Sequence, residues 1–272
     1  MTTRLQQAFD AARSQGRAAL IGYLPAGFPT PAASVRLITA MVRSGVDVIE
    51  VGLPYSDPLM DGPVIQEAVD LALRSGTTTD VVLRTVAAVS DDGAVPLVMS
   101  YWNPIERYGL ERFAGALADA GGVGVITPDL TPEEAGPWIS ASDAAGLGRV
   151  FLVAPSSTDE RISLIARACT GFVYAASTMG VTGVRASVGV DAQDLVQRAK
   201  SRTDLPVAVG IGVSTAEQAR EVAGYADGVI VGSAFIRCVL ESSGEAEAEA
   251  SVARLASELA AGVRGHAEGR VR

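Results

Sequence analysis

The sequence predicts a closed (β/α)8 barrel, and three observations carry that expectation. Eight short apolar runs recur along the 272 residues, each bounded by Gly, Pro or Asp. The runs are continuously apolar, the pattern of parallel strands covered on both faces. Helix-length stretches with apolar residues at three- and four-residue intervals separate them. Eight such units in about 250 residues close a barrel, with a doubly wound open sheet as the alternative. No linker or shift in composition divides the chain, so one domain is expected over 1–272.

Taken in order, MTTRLQQAFDAARSQGRAAL opens with a helix over 1–18 expected to cap the barrel. It lacks the apolar centre of a secretory signal. The expected strands are ALIGYLP (19–25), VDVIEVGLP (46–54), PLVMSYWNP (96–104), GVGVITPDL (122–130), GRVFLVAP (148–155), GFVYAAST (171–178), LPVAVGIGV (205–213) and DGVIVGSAF (227–235). PAASVRLITAMVRSG and STAEQAREVAGYA are two of the intervening helices, and 266–272 reads as a polar tail. The second and sixth units are the longest, roughly 50 and 34 residues between strand starts. Barrel sites lie on the loops that follow the strands, so the extra chain predicts enlarged loops after strands two and six.

Composition narrows the chemistry. Hydrophobic residues make up 48% and charged residues 19%, which excludes a disordered chain. The net charge is −9 without a basic run, which argues against nucleic acid and anionic membranes. No apolar stretch approaches the roughly 18 residues of a membrane span. His266 is the one histidine and Lys200 the one lysine, the latter where a helix should end. A histidine triad, a His/Cys zinc site and a Schiff base are accordingly not expected. Cys169 and Cys238 give no disulfide framework, which fits a reducing, cytoplasmic setting.

Alternation along VDVIEVGLP places Glu50 on one face with Val46, Val48 and Gly52, directed into the barrel near its upper rim. A carboxylate there, without a lysine or histidine partner, should have a raised pKa suited to proton transfer near neutral pH. A structural carboxylate satisfied by backbone N–H groups is the alternative reading. The following loop, PYSDPLMDGP, holds Asp57 and Asp61 among three prolines. Asp61, eleven residues after Glu50, is placed to pair with it in acid/base work, and turn formation or helix capping is the rival role for both aspartates. Tyr55, Leu59 and Met60 are apolar for such a loop and suggest a covered, partner-facing surface.

The last three units read as a phosphate cradle without cations. Loop six is STMGVTGVR, strand seven ends in GIG and strand eight ends in Gly232-Ser233. Glycines there let backbone N–H groups approach an anion, and a helix N-terminus after strand eight would add its dipole. Arg185 sits on a glycine-flanked loop and is a doubtful contributor.

IEVGLPYSDPLMDGPVIQ resembles the signature of the tryptophan synthase alpha subunit family. YLPAGFP, GVTG, GIGVSTAEQ and VGSAFI are similar to that family in order and spacing, over essentially 1–265. The resemblance implies retro-aldol cleavage of indole-3-glycerol phosphate to indole and D-glyceraldehyde 3-phosphate. It implies that Glu50 protonates C3 of the ring, that Asp61 holds the indole N–H, and that Tyr174 lies near the reacting glycerol. Tyr23 would line the indole pocket, and Thr182 would meet Asp61 on loop closure. Gly183, Gly212, Gly232 and Ser233 would hold the phosphate. No metal or cofactor is expected on this chain. A pyridoxal-phosphate beta subunit is the implied partner in an α2β2 complex, docking near Asp57, Pro58 and Asn103. Pro25, Phe28 and Thr178-Met179 depart from the commonest pattern of the family.

Overall fold

The computed structural model describes residues 3–176, 190–210 and 212–264. In chain order the first half comprises α1 (Arg4–Ser14), β1 (Ala19–Pro25), α2 (Pro31–Arg43), β2 (Val48–Gly52), α3 (Pro63–Arg74), α4 (Thr79–Asp91), β3 (Pro96–Met99), α5 (Trp102–Tyr108), α6 (Leu110–Asp119) and β4 (Gly124–Ile126). There follow α7 (Gly136–Ala144), β5 (Gly148–Val150), β6 (Leu152–Val153), α8 (Asp159–Ala168), β7 (Val173–Ala176), α9 (Val190–Lys200), β8 (Val207–Gly210), α10 (Ala216–Ala223), β9 (Gly228–Val231), α11 (Ser233–Leu240) and α12 (Glu245–Arg264).

All pairings are parallel, in the order β5-β4-β3-β2-β1-β9-β8-β7-β6. The two ends of that order, β5 and β6, are one stretch of chain interrupted at Phe151. The order therefore returns on itself, and the expected (β/α)8 barrel is what the chain forms. Phe151 is buried, and its N–H donates to the Cys169 sulfur instead of to a strand.

Two apolar layers follow from alternation along the strands. Ile49, Val51, Val98, Val125, Val209 and Val229 pack outward against the helices. Ile21, Val48, Leu97, Ile126, Val150 and Ile230 fill the barrel, joined from below by Leu5, Phe9 and Ala12 of α1. Helix starts are set by short hydroxyl residues. Thr30 accepts the Ala33 N–H before Pro31 opens α2, and Thr215 accepts the Gln218 N–H before α10. Thr3 and Gln6 form a reciprocal capping box on α1. Arg17, almost fully buried, makes a two-pronged ion pair with Asp47 at 2.6 and 2.8 Å and locks the chain entering β1 to that entering β2.

Four expectations are corrected. The third strand stops at Met99, and Asn103-Pro104 belongs to the first turn of α5, whose Trp102 N–H is held by the Asp129 carboxylate. Strand two starts at Val48, so Val46 lies outside it and packs with the helix layer, not beside Glu50. Strand five is split rather than continuous. The surplus of the second unit is partly a loop over 53–62 and partly two helices, α3 and α4. The sixth loop, from Ser177 on, and the tail with His266 lie outside the described residues.

Candidate active site

At the C-terminal ends of the strands a cavity of about 350 Å³ opens. Seven of the residues singled out in the sequence line it together: Tyr23, Glu50, Asp61, Tyr174, Gly212, Gly232 and Ser233. Register explains part of this convergence, since β1 against β2 sets Tyr23 opposite Glu50. Two glycines make room for the phenol rings. A Cβ on Gly52 would lie 2.6 Å from the Tyr23 hydroxyl oxygen, and one on Gly210 would collide with the Tyr174 hydroxyl.

Glu50 is 1% exposed, and its Oε1 has no hydrogen-bond partner among the described residues. The structural alternative, a carboxylate satisfied by backbone N–H groups, does not fit that oxygen. Burial alone pushes its pKa up to about 8, so the neutral acid prevails at pH 7. Asp61, half-buried on the loop after β2, is also raised by burial, and a hydrogen bond from the Tyr101 side chain pulls it back. The Tyr101 hydroxyl accepts the Met60 N–H at 3.0 Å, which leaves its own proton for Asp61. Tyr23 and Tyr174 are held well above the ordinary phenol range, first by burial and then by Asp61 and Glu50, so both remain neutral donors.

The side of the cavity formed after β8 and β9 is receptive to an anion. Gly232 precedes α11 without a side chain to cap it, and Ser233 is the first helical residue. Gly212, with φ of 75°, turns the chain after β8 into the same wall. Arg237, one turn further along α11, lines the cavity as well, so the cradle is not free of cations.

Sequence reasoning missed Tyr101, read as strand, and Arg237, whose four-residue spacing from Ser233 was the available signal. Thr182, Gly183 and Arg185 lie outside the described residues. Asp57, Pro58 and Asn103 stand away from the cavity lining. Asp57 accepts the Ser56 hydroxyl at 2.6 Å, Asn103 donates its amide to the Tyr55 hydroxyl at 2.9 Å, and Pro58 borders a neighbouring surface hollow. Among the described residues no group of three or more His, Cys, Asp or Glu is placed to hold a metal ion, and no helix is long and apolar enough to cross a membrane.

Fold and cavity together define a (β/α)8-barrel protein with a cavity at the C-terminal face, lined by acids from the β2 unit and by an uncapped helix start after β9. Residues 9–264 match the family model of the tryptophan synthase alpha chain. Over 96% of its length the chain is 58% identical to the tryptophan synthase alpha chain of Acidothermus cellulolyticus and 59% identical to that of Thermobifida fusca, covering 97% and 98% of those proteins. A solved structure of Mycobacterium tuberculosis tryptophan synthase superposes with a TM-score of 0.90 at 52% identity, covering 97% of this chain and 99% of that one. The chain belongs to the tryptophan synthase alpha chain family.

Proposed function

We propose that the chain is a carbon–carbon lyase that cleaves indole-3-glycerol phosphate into indole and D-glyceraldehyde 3-phosphate. The observation that carries the reading is the buried Glu50, neutral at pH 7, sharing one cavity with Asp61 and an uncapped helix N-terminus. Retro-aldol cleavage needs a proton on C3 of the indole ring, and a neutral Glu50 supplies it. Protonation leaves an indoleninium cation whose N–H faces the Asp61 carboxylate. The hydroxyl beside the breaking bond then loses its proton, its oxygen becomes the aldehyde carbonyl, and the electrons of the C–C bond return to the ring. The Glu50 carboxylate formed in the first step accepts that proton, so the acid is regenerated. Tyr174, a neutral phenol, hydrogen-bonds the glycerol hydroxyls, and Tyr23 packs on the ring. The phosphate rests on Gly212, Gly232 and Ser233, and the parts that the resemblance gives Thr182 and Gly183 fall outside the described residues. Each positioned acid or base contributes about 10²–10⁴-fold.

The reading extends to a partner. Leu59 and Met60, 78% and 56% exposed, lie on the loop that also carries Asp57 and Pro58, and Met60 reaches the cavity. We place a pyridoxal-phosphate beta subunit on that face, in an α2β2 complex that receives the indole; this chain needs no cofactor of its own. Two free cysteines fit a reducing cytoplasm. Indole release from indole-3-glycerol phosphate, by the purified chain alone and with a beta subunit, is the test. Activity that rises with the partner and is lost in Glu50→Gln and Asp61→Asn supports the reading. A folded chain inactive under both conditions refutes it.

A further inference from the structure

The anion-receptive wall holds a residue whose part in the site has no counterpart in the backbone cradle. Arg237 is exposed, makes no hydrogen bond or ion pair among the described residues, and contributes to the lining of the cavity. Other guanidiniums among the described residues are engaged: Arg17 with Asp47, Arg36 with Glu245 and Glu249, Arg198 with Asp159. The acidic groups that line the cavity are Glu50 on β2 and Asp61 on the loop after it, separated from β9 by β1. Arg237 is the one basic residue among the described lining.

Its placement follows from helix geometry. Ser233 and Arg237 are four residues apart on α11 and therefore share a face. Helical side chains lean toward the N-terminus of their helix, so the guanidinium of Arg237 is carried back toward the first-turn N–H groups that Gly232 leaves uncapped. Those N–H groups and the helix dipole favour an anion, and they treat a monoanion and a dianion much alike in kind. An exposed guanidinium adds a full charge and paired donors, which reward a charged oxyanion over a hydroxyl.

We infer that Arg237 is a specificity-determining residue that closes on the phosphate of the bound substrate and selects phosphorylated over unphosphorylated glycerol chains. This rests on the phosphorylated-substrate reading above and deepens it. An arm of this kind, unpaired among the described residues, has no salt bridge there to break on binding. Its contribution should be sensitive to ionic strength, since the side chain is solvent-exposed.

The test uses the intact chain and its Arg237→Gln and Arg237→Lys variants, with glycerol 3-phosphate as the probe. Calorimetric titration gives its affinity at low and at physiological salt. Steady-state cleavage of indole-3-glycerol phosphate gives KM and kcat. We expect Arg237→Gln to bind glycerol 3-phosphate about tenfold more weakly, the scale of one charge-assisted contact. The loss should shrink as salt rises, fall on KM rather than kcat, and be partly restored in Arg237→Lys. Affinity for indole, which has no phosphate, should be the same in all three proteins. Unchanged glycerol 3-phosphate affinity and KM in Arg237→Gln, with the intact chain binding normally, overturns the role of Arg237 alone. An intact chain that neither binds glycerol 3-phosphate nor cleaves the substrate removes the phosphorylated-substrate reading and this role with it.

Discussion

Glu50 is an acid kept neutral by the apolar barrel around it, and its titration governs two measurable quantities. The proposed cleavage needs the protonated form, so kcat/KM should fall as pH rises above about 8. On the acid side the rate should fall as Asp61 takes up a proton, at a pH above its usual range because burial raises it. Tyr101→Phe removes the hydrogen bond that counters that burial, so the acid limb should move to higher pH while the alkaline limb stays in place. Stability carries the same signature. The folded pKa of Glu50 lies above the unfolded value, so the stabilisation from its neutral form is complete below about pH 4.5 and is lost as pH rises toward about 8. Relative to Glu50→Gln, the native chain should lose at most about 3 kcal/mol between pH 4 and pH 7. Urea titrations of both proteins at the two pH values measure the difference, and a gap that does not change with pH would refute a buried, raised Glu50.

At the scale of elements, α1 plugs the barrel floor. Phe9 packs its ring 5.5 Å from that of Phe172, and both are buried among the inward-facing strand residues. Phe9→Ala should cost about 3–5 kcal/mol and lower the melting temperature by roughly 10 °C. The strands were legible because buried parallel strands are written as unbroken apolar runs, and all eight begin within two residues of a run's start. The failures have local causes. Tyr101 and Trp102 extend the apolar run of strand three, but the Asp129 carboxylate captures the Trp102 N–H and starts a helix instead. Val46 continues the alternation by count, yet Asp47 beside it bonds Arg17 and the Leu20 N–H, which ends the strand pattern before Val48. Neither capture is visible without knowing which residues meet across the fold.

At the scale of the whole molecule, the site was more legible than its supports. Glu50 and the glycines of strands seven and eight announce themselves by type and position, whereas Tyr101 acts on Asp61 from another strand's loop, and Arg237 becomes a cavity residue only once α11 is set at the rim. The partner belongs to this scale as well. Size-exclusion chromatography with a beta subunit should show a heavier complex, and Leu59→Asp should weaken it about tenfold or more while leaving the isolated chain monodisperse. The plugged floor has one more effect. With Leu5 and Phe9 closing the lower end, the described part of the barrel opens at the strand ends, beside residues 53–62. A bulky addition on that rim would therefore hinder filling of the cavity from outside.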